Sequence, residues 1–143
     1  MARRHDALIP LAQDHHGALV VAVGLKRAGN GDTPAQLAAL RAFAAEWHER
    51  LRRHFEDEER LLRPLLTGEE WSRLTGDHAE LRHAAQAVAR QLEGGVPAAG
   101  FCAATGVALE RHIRWEDREL FARIEAQAGE AALQALARET SRR

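Results

Sequence analysis

At 143 residues the chain is long enough to bury the core of one domain without disulfides or a second module. Its 20 Lys and Arg side chains nearly cancel its 21 Asp and Glu, which excludes the strongly basic surface of a protein built to hold nucleic acid or a charged membrane. A single cysteine, Cys102, excludes an internal disulfide and reads as a buried, unreactive thiol in a reducing compartment, and no apolar run approaches the roughly 18 residues of a membrane span. One soluble, cytoplasmic domain over residues 1–143 is expected.

Alanine, leucine, arginine and glutamate dominate and tyrosine is absent, which is the alphabet of an all-α protein. Taken in chain order, His5 precedes any periodic segment and reads as unordered, and a first helix runs from about Ala7 to Ala28. After breakers at Gly29 to Thr33, a second helix starts with Thr33 as cap and Pro34 at its first position and continues to about Leu66, with Pro64 near its end. Thr67 and Gly68 separate it from a third helix over about Glu69 to Glu93. The stretch Gly94 to Gly100 precedes a fourth over about Ala98 to Gln127, and Glu130 to Thr140 forms a short fifth segment that caps the bundle. Short connections between long helices predict antiparallel neighbours, hence an up-down-up-down four-helix bundle.

The apolar stripes of these helices carry polar residues where a core residue belongs. The second helix reads Leu37, Leu40, Ala44, Trp47, Leu51, His54, Glu58, Leu61 and Leu65, in steps of three and four. The third reads Trp71, Leu74, His78, Leu81, Ala85, Val88 and Leu92, and the fourth reads Leu109, His112, Glu116, Leu120 and then Arg123 or Ile124. On the first helix two stripes compete: one through Leu8, Leu11, His15, Ala18, Ala22 and Leu25, the other through Ile9, Ala12, His16, Leu19 and Val23. His15 is favoured as the inward residue, with His16 flanking the site.

Burying an unpaired carboxylate costs several kcal/mol, so two glutamates and three or four histidines in one core need a shared explanation. A bound cation supplies one. In His54/Glu58 and His112/Glu116 the four-residue spacing sets imidazole and carboxylate on one helix face, about 6 Å apart. Imidazole with carboxylate and no thiolate suits iron or manganese, then zinc. The remaining histidines read differently: His83 is turned well away from His78 on the helix, and His48 lies off the stripe beside Trp47. Trp47, Trp71 and Trp115 read as core or bundle-end aromatics, with Trp115 next to Glu116 placed to wall off the site, and the runs Arg50 to Arg53 and Arg138 to Arg143 as solvated faces.

The segments His54-Phe55-Glu56-Asp57-Glu58-Glu59, Asp77-His78-Ala79-Glu80-Leu81-Arg82 and His112-Ile113-Arg114-Trp115-Glu116-Asp117-Arg118-Glu119-Leu120-Phe121, preceded by Asp14-His15-His16, resemble the hemerythrin-like domain family. The resemblance covers nearly the whole chain in order. It implies an antiparallel four-helix bundle around a non-haem centre of two iron ions with an oxo or hydroxo bridge. In it, carboxylates matching Glu58 and Glu116 bridge the irons, and histidines matching His15 or His16, His54, His78 and His112 complete the ligation. There are departures: where the oxygen carriers have a second histidine four residues after the one matching His78, this chain has Arg82, and where they pair a histidine with an aspartate five residues on, it has His112 and Glu116. The set is closer to the four-histidine, two-glutamate centres of iron–sulfur repair proteins and iron-sensing relatives. Ferritin-like chemistry, which uses two Glu-x-x-His motifs, is set aside because the one such match, Glu80 and His83, is off the stripe.

The expected function is therefore binding or sensing of dioxygen, nitric oxide or iron and redox state, with a diatomic ligand and a redox partner as the expected partners. Iron–sulfur cluster repair, reduction of nitric oxide or peroxide, and a structural zinc are the alternatives. Glu59, Asp77 and Asp117 are placed to orient ligand imidazoles from outside.

Overall fold

Amphipathic stripes of this length bury themselves by packing helix on helix, and the computed structural model, which describes residues 3–143, is helical throughout with no strand among the described residues. Helix α1 spans Ile9–Ala28, α2 spans 33–65, α3 spans Gly68–Gly94, α4 spans 101–127 and α5 spans Glu130–Thr140. Helix α1 packs on α2, α2 on α3 and α3 on α4, and α4 returns to pack along α1, closing an antiparallel four-helix ring. The short α5 docks on the second half of α2.

Several boundaries move by a residue or two for local reasons. The cap of α2 is Asp32, not Thr33: its carboxylate accepts from the Ala35 N–H at 3.0 Å, which leaves Thr33 and Pro34 as the first helical residues. The α-helical part of α2 stops at Leu62 and finishes in a tighter turn over Arg63–Leu65, because Pro64 has no N–H to give. At the start of α3, Thr67 accepts from the Glu70 N–H at 3.1 Å while the Glu70 carboxylate accepts from the Thr67 N–H at 2.9 Å. Helix α4 begins at Phe101 rather than Ala98, since Gly100 at φ 74° holds the chain in the left-handed region just before it. His5 is ordered, contrary to expectation. Its Nδ1 accepts from the Ala7 N–H at 3.0 Å and its own N–H donates to Glu125.

Two helices carry a wide turn in which the N–H reaches back five residues: over Trp47–Leu51 in α2, closed by Arg52 N–H to Trp47 C=O, and over Glu116–Leu120 in α4, closed by Phe121 N–H to Glu116 C=O. Such turns add one residue to the helical phase and recur at functional sites. Here each adjoins one of the two His-x-x-x-Glu pairs. Past the second, the buried stripe runs through Leu120, Phe121 and Ile124, while Arg123 lies at the edge and donates to Glu70 and the Leu65 carbonyl.

The apolar core is divided in two. One half gathers Leu25, Leu40, Phe43, Trp47, Val88, Cys102 and Leu109, the other Leu8, Leu11, Leu62, Leu74, Phe121, Ile124 and, from α5, Leu133 and Leu136. Cys102 is buried, and burial pushes its thiol pKa up, so it is the inert core thiol its apolar neighbours indicated. Between the halves lies a layer of polar side chains. No helix of the described residues is long and apolar enough to cross a membrane.

Candidate metal centre

The polar layer is built from His15 on α1, His54 and Glu58 on α2, His78 on α3 and His112 and Glu116 on α4. His54, Glu58, His78 and Glu116 are 0% exposed, His112 1% and His15 2%. Burial of this kind without partners is expensive, so every polar atom must be accounted for.

The outward nitrogens are satisfied in one pattern. His15 Nδ1 donates to Asp117 at 2.8 Å, His54 Nδ1 to Asp14 at 2.9 Å, His78 Nδ1 to Glu59 at 2.6 Å and His112 Nδ1 to Asp77 at 2.9 Å. A proton held at Nδ1 by a carboxylate leaves the Nε2 lone pair free, the tautomer and ring orientation that a metal-binding imidazole requires. All four Nε2 atoms face the layer's interior. There His15 Nε2 lies 3.0 Å from Glu116 Oε1, His54 Nε2 3.2 Å from Glu58 Oε2, His78 Nε2 3.1 Å from Glu58 Oε1 and His112 Nε2 3.4 Å from Glu116 Oε1.

Only the His78 contact is aligned as a hydrogen bond. Buried without a partner are Nε2 of His15, His54 and His112, Oε2 of Glu58 and both carboxylate oxygens of Glu116. Together with His78 Nε2 these orphaned atoms form two overlapping groups, His15/His54/Glu58/Glu116 and Glu58/His78/His112/Glu116, each with donor atoms within 4.8 Å of one another. Both glutamates belong to both groups. Four imidazoles with two shared carboxylates fit a pair of cations.

The electrostatics point the same way. Burial and the charge of Glu58 beside it push the Glu116 carboxyl well above its usual range. Burial also raises Glu58, but the charge of His54 and the close approach of Glu116, His54 and His78 outweigh it and hold that carboxyl well below its usual range. Burial disfavours a charged His54, yet Glu58 and Asp14 draw its pKa up to about 9. His112 is lowered, because burial outweighs its bond to Asp77. Without a cation, then, the layer favours a charged His54 and resists a second carboxylate charge at Glu116. A metal ion would meet the same need for positive charge.

Aromatic rings close the layer. Phe55 stacks on His78 with centroids 3.9 Å apart, Phe121 stacks on His15 at 5.5 Å, and Trp115 lies 6.0 Å from His112 with the Arg73 guanidinium over its ring at 4.5 Å. The structure thus brings His15, His54, Glu58, His78, His112 and Glu116 together and leaves His16 out: His16 is exposed on the other side of α1, as one helical residue's rotation requires. His48 and His83 are likewise exposed. Arg82 turns outward to pair with Glu59 at 2.9 Å and so supports His78 through that carboxylate.

Two supporting residues escape the sequence reading. Asp14 follows no stripe of its own helix toward His54, since only the packing of α1 on α2 joins them, and Arg143, read as solvated, donates to Asp14 and Asp57.

A helical bundle with two overlapping, buried histidine and glutamate donor groups is a cation-binding domain, and the pairing of shared carboxylates makes it a binuclear one. The chain matches the Hemerythrin HHE cation binding domain over residues 7–124, and it belongs to that family. Comparison with curated proteins and with solved structures returned no match in either case.

Proposed function

We propose that the protein holds two iron ions in this layer and takes up dioxygen or nitric oxide there, as a binding or sensing protein. His15 and His54 would serve one ion and His78 and His112 the other, with Glu58 and Glu116 shared. The observation that carries the reading is the set of inward, unpartnered donor atoms, each imidazole already fixed by a carboxylate behind it. A pair of adjacent iron ions supplies open coordination positions and electrons for a diatomic ligand.

The residues of the chain define what can reach such a centre. Phe55, Phe121 and Trp115 flank the donor layer, so a charged substrate would lose its hydration on entry, whereas an uncharged diatomic loses little. That favours a gas over an anionic metabolite. The Nδ1 protons, held on Asp117, Asp14, Glu59 and Asp77, keep the four rings from turning and the donor atoms in place.

The test is metal analysis of protein from iron-supplied cells, with absorption spectra before and after anaerobic reduction and on exposure to air and to nitric oxide. Near two irons per chain, with bands that bleach on reduction and change with the gas, is the expected result. Zinc in both positions would refute it in favour of a structural metal, and rapid consumption of nitric oxide or peroxide would refute it in favour of an enzyme.

A further inference from the structure

Helix α5 and the residues beyond it lie outside the stretch that matches the family, residues 7–124, yet Arg143 reaches the support of the donor layer. Its side chain is 16% exposed and its guanidinium is divided among three acceptors. One Nη donates to Asp14 Oδ2 at 2.7 Å, Nε to Asp57 Oδ2 at 2.8 Å and the other Nη to the Pro10 carbonyl at 3.1 Å. Asp14 Oδ2 is the same oxygen that accepts from His54 Nδ1. Asp57 directly precedes Glu58 on α2. One planar guanidinium therefore ties α1 to α2 behind the His54/Glu58 pair, a task the point charge of a lysine cannot reproduce.

We infer that Arg143 is a positioning residue for the His15/His54 half of the centre: it holds Asp14 in place, Asp14 orients the His54 ring, and metal loading of that half depends on the docked end of the chain. The inference rests on reading the layer as a metal centre. A matching arrangement serves the other half, where Arg82 holds Glu59 at 2.9 Å and Glu59 accepts from His78 Nδ1 at 2.6 Å. Each half thus has its own arginine, one inside the family-matched stretch and one outside it.

The experiment titrates metal-free protein with cobalt(II), followed by visible absorption. Wild type is expected to bind two ions per chain. Removing support behind a ligand histidine commonly costs 10–100-fold in metal affinity, so Arg143→Ala, one step further out, should weaken one ion about tenfold. Arg143→Lys should fall between, Arg138→Ala, at an exposed position on α5, should match wild type, and Arg82→Ala should weaken the other ion. In the cobalt-loaded protein the shifted resonance of the His54 Nδ1 proton should exchange with solvent faster in Arg143→Ala and not in Arg82→Ala. A merely structural role in docking α5 would lower the melting temperature without moving that resonance. Unchanged affinity in Arg143→Ala, equal weakening of both ions, or Arg143→Ala and Arg82→Ala acting on the same ion would overturn the positioning role and leave the metal centre standing. Wild type that binds no cobalt would overturn both.

Discussion

Glu58→Gln separates a ligand from a structural carboxylate by the size of its effect in two states. The substitution keeps the side chain's volume but removes a carboxylate that belongs to both donor groups. A ligand held at 100 times its dissociation constant stabilises the native state by about 2.7 kcal/mol, so two ions contribute about 5 kcal/mol. At about 3 °C per kcal/mol for a domain of this size, metal-loaded wild type should melt about 15 °C above its metal-free form. The variant should lose most of that interval, along with its iron. Metal-free, the fall should be much smaller: the amide loses the attraction to His54 that holds the Glu58 carboxyl low, but it also removes the negative charge that pushes the Glu116 carboxyl up, so the variant should melt only about 3–6 °C below metal-free wild type. Calorimetry with and without chelator, paired with metal analysis, reads both states. An equal fall in melting temperature with and without metal would refute the reasoning, because Glu58 would then be acting through the fold alone.

Other consequences are measurable separately. With its pKa drawn up to about 9, metal-free His54 is protonated at neutral pH, and metal binding displaces that proton. Affinity should therefore fall as pH drops below about 9, and loading at pH 7 should release about one proton per chain from His54, read by calorimetry in buffers of different ionisation enthalpy; no release would contradict the protonation pattern. Asp77→Ala, which frees the His112 ring, should weaken metal binding 10–100-fold while leaving the helical circular dichroism unchanged. Gly106→Ala should cost about 1–3 kcal/mol in a denaturant titration, since its new methyl would lie 2.7 Å from the Ala22 carbonyl oxygen and 2.9 Å from the Lys26 nitrogen where α4 presses on α1; an unchanged midpoint would show that the two helices separate easily.

Much of this molecule is local in origin and so is readable along the chain. Helix limits follow from caps and breakers such as Thr67 with Glu70 and Pro64, each acting within a few residues. The periodic stripes mark His54, Glu58, His78, His112 and Glu116 as inward because a helix repeats its faces every three to four residues, whatever it packs against. The competition between His15 and His16 is different: both lie on apolar stripes of α1, and only the position of α4 and α2 around that helix buries the first and exposes the second.

The supports behind the ligand rings depend still more on assembly. Asp14 to His54 spans 40 residues, Asp77 to His112 spans 35 and Arg143 to Asp14 spans 129, and no local pattern links partners that meet only when separate helices pack. The wide turns at Trp47–Leu51 and Glu116–Leu120 also carry no signature of composition, since an i to i+5 bond replaces the usual one only where tertiary packing compensates for it. By itself the sequence determined the helices, their buried faces and the histidines and glutamates those faces carry inward, because these rest on backbone chemistry and helical period. Which histidine of α1 turns inward, which carboxylate holds each ring and what the last arginine grips were decided by tertiary structure, because only helix packing sets distances between residues far apart in the chain.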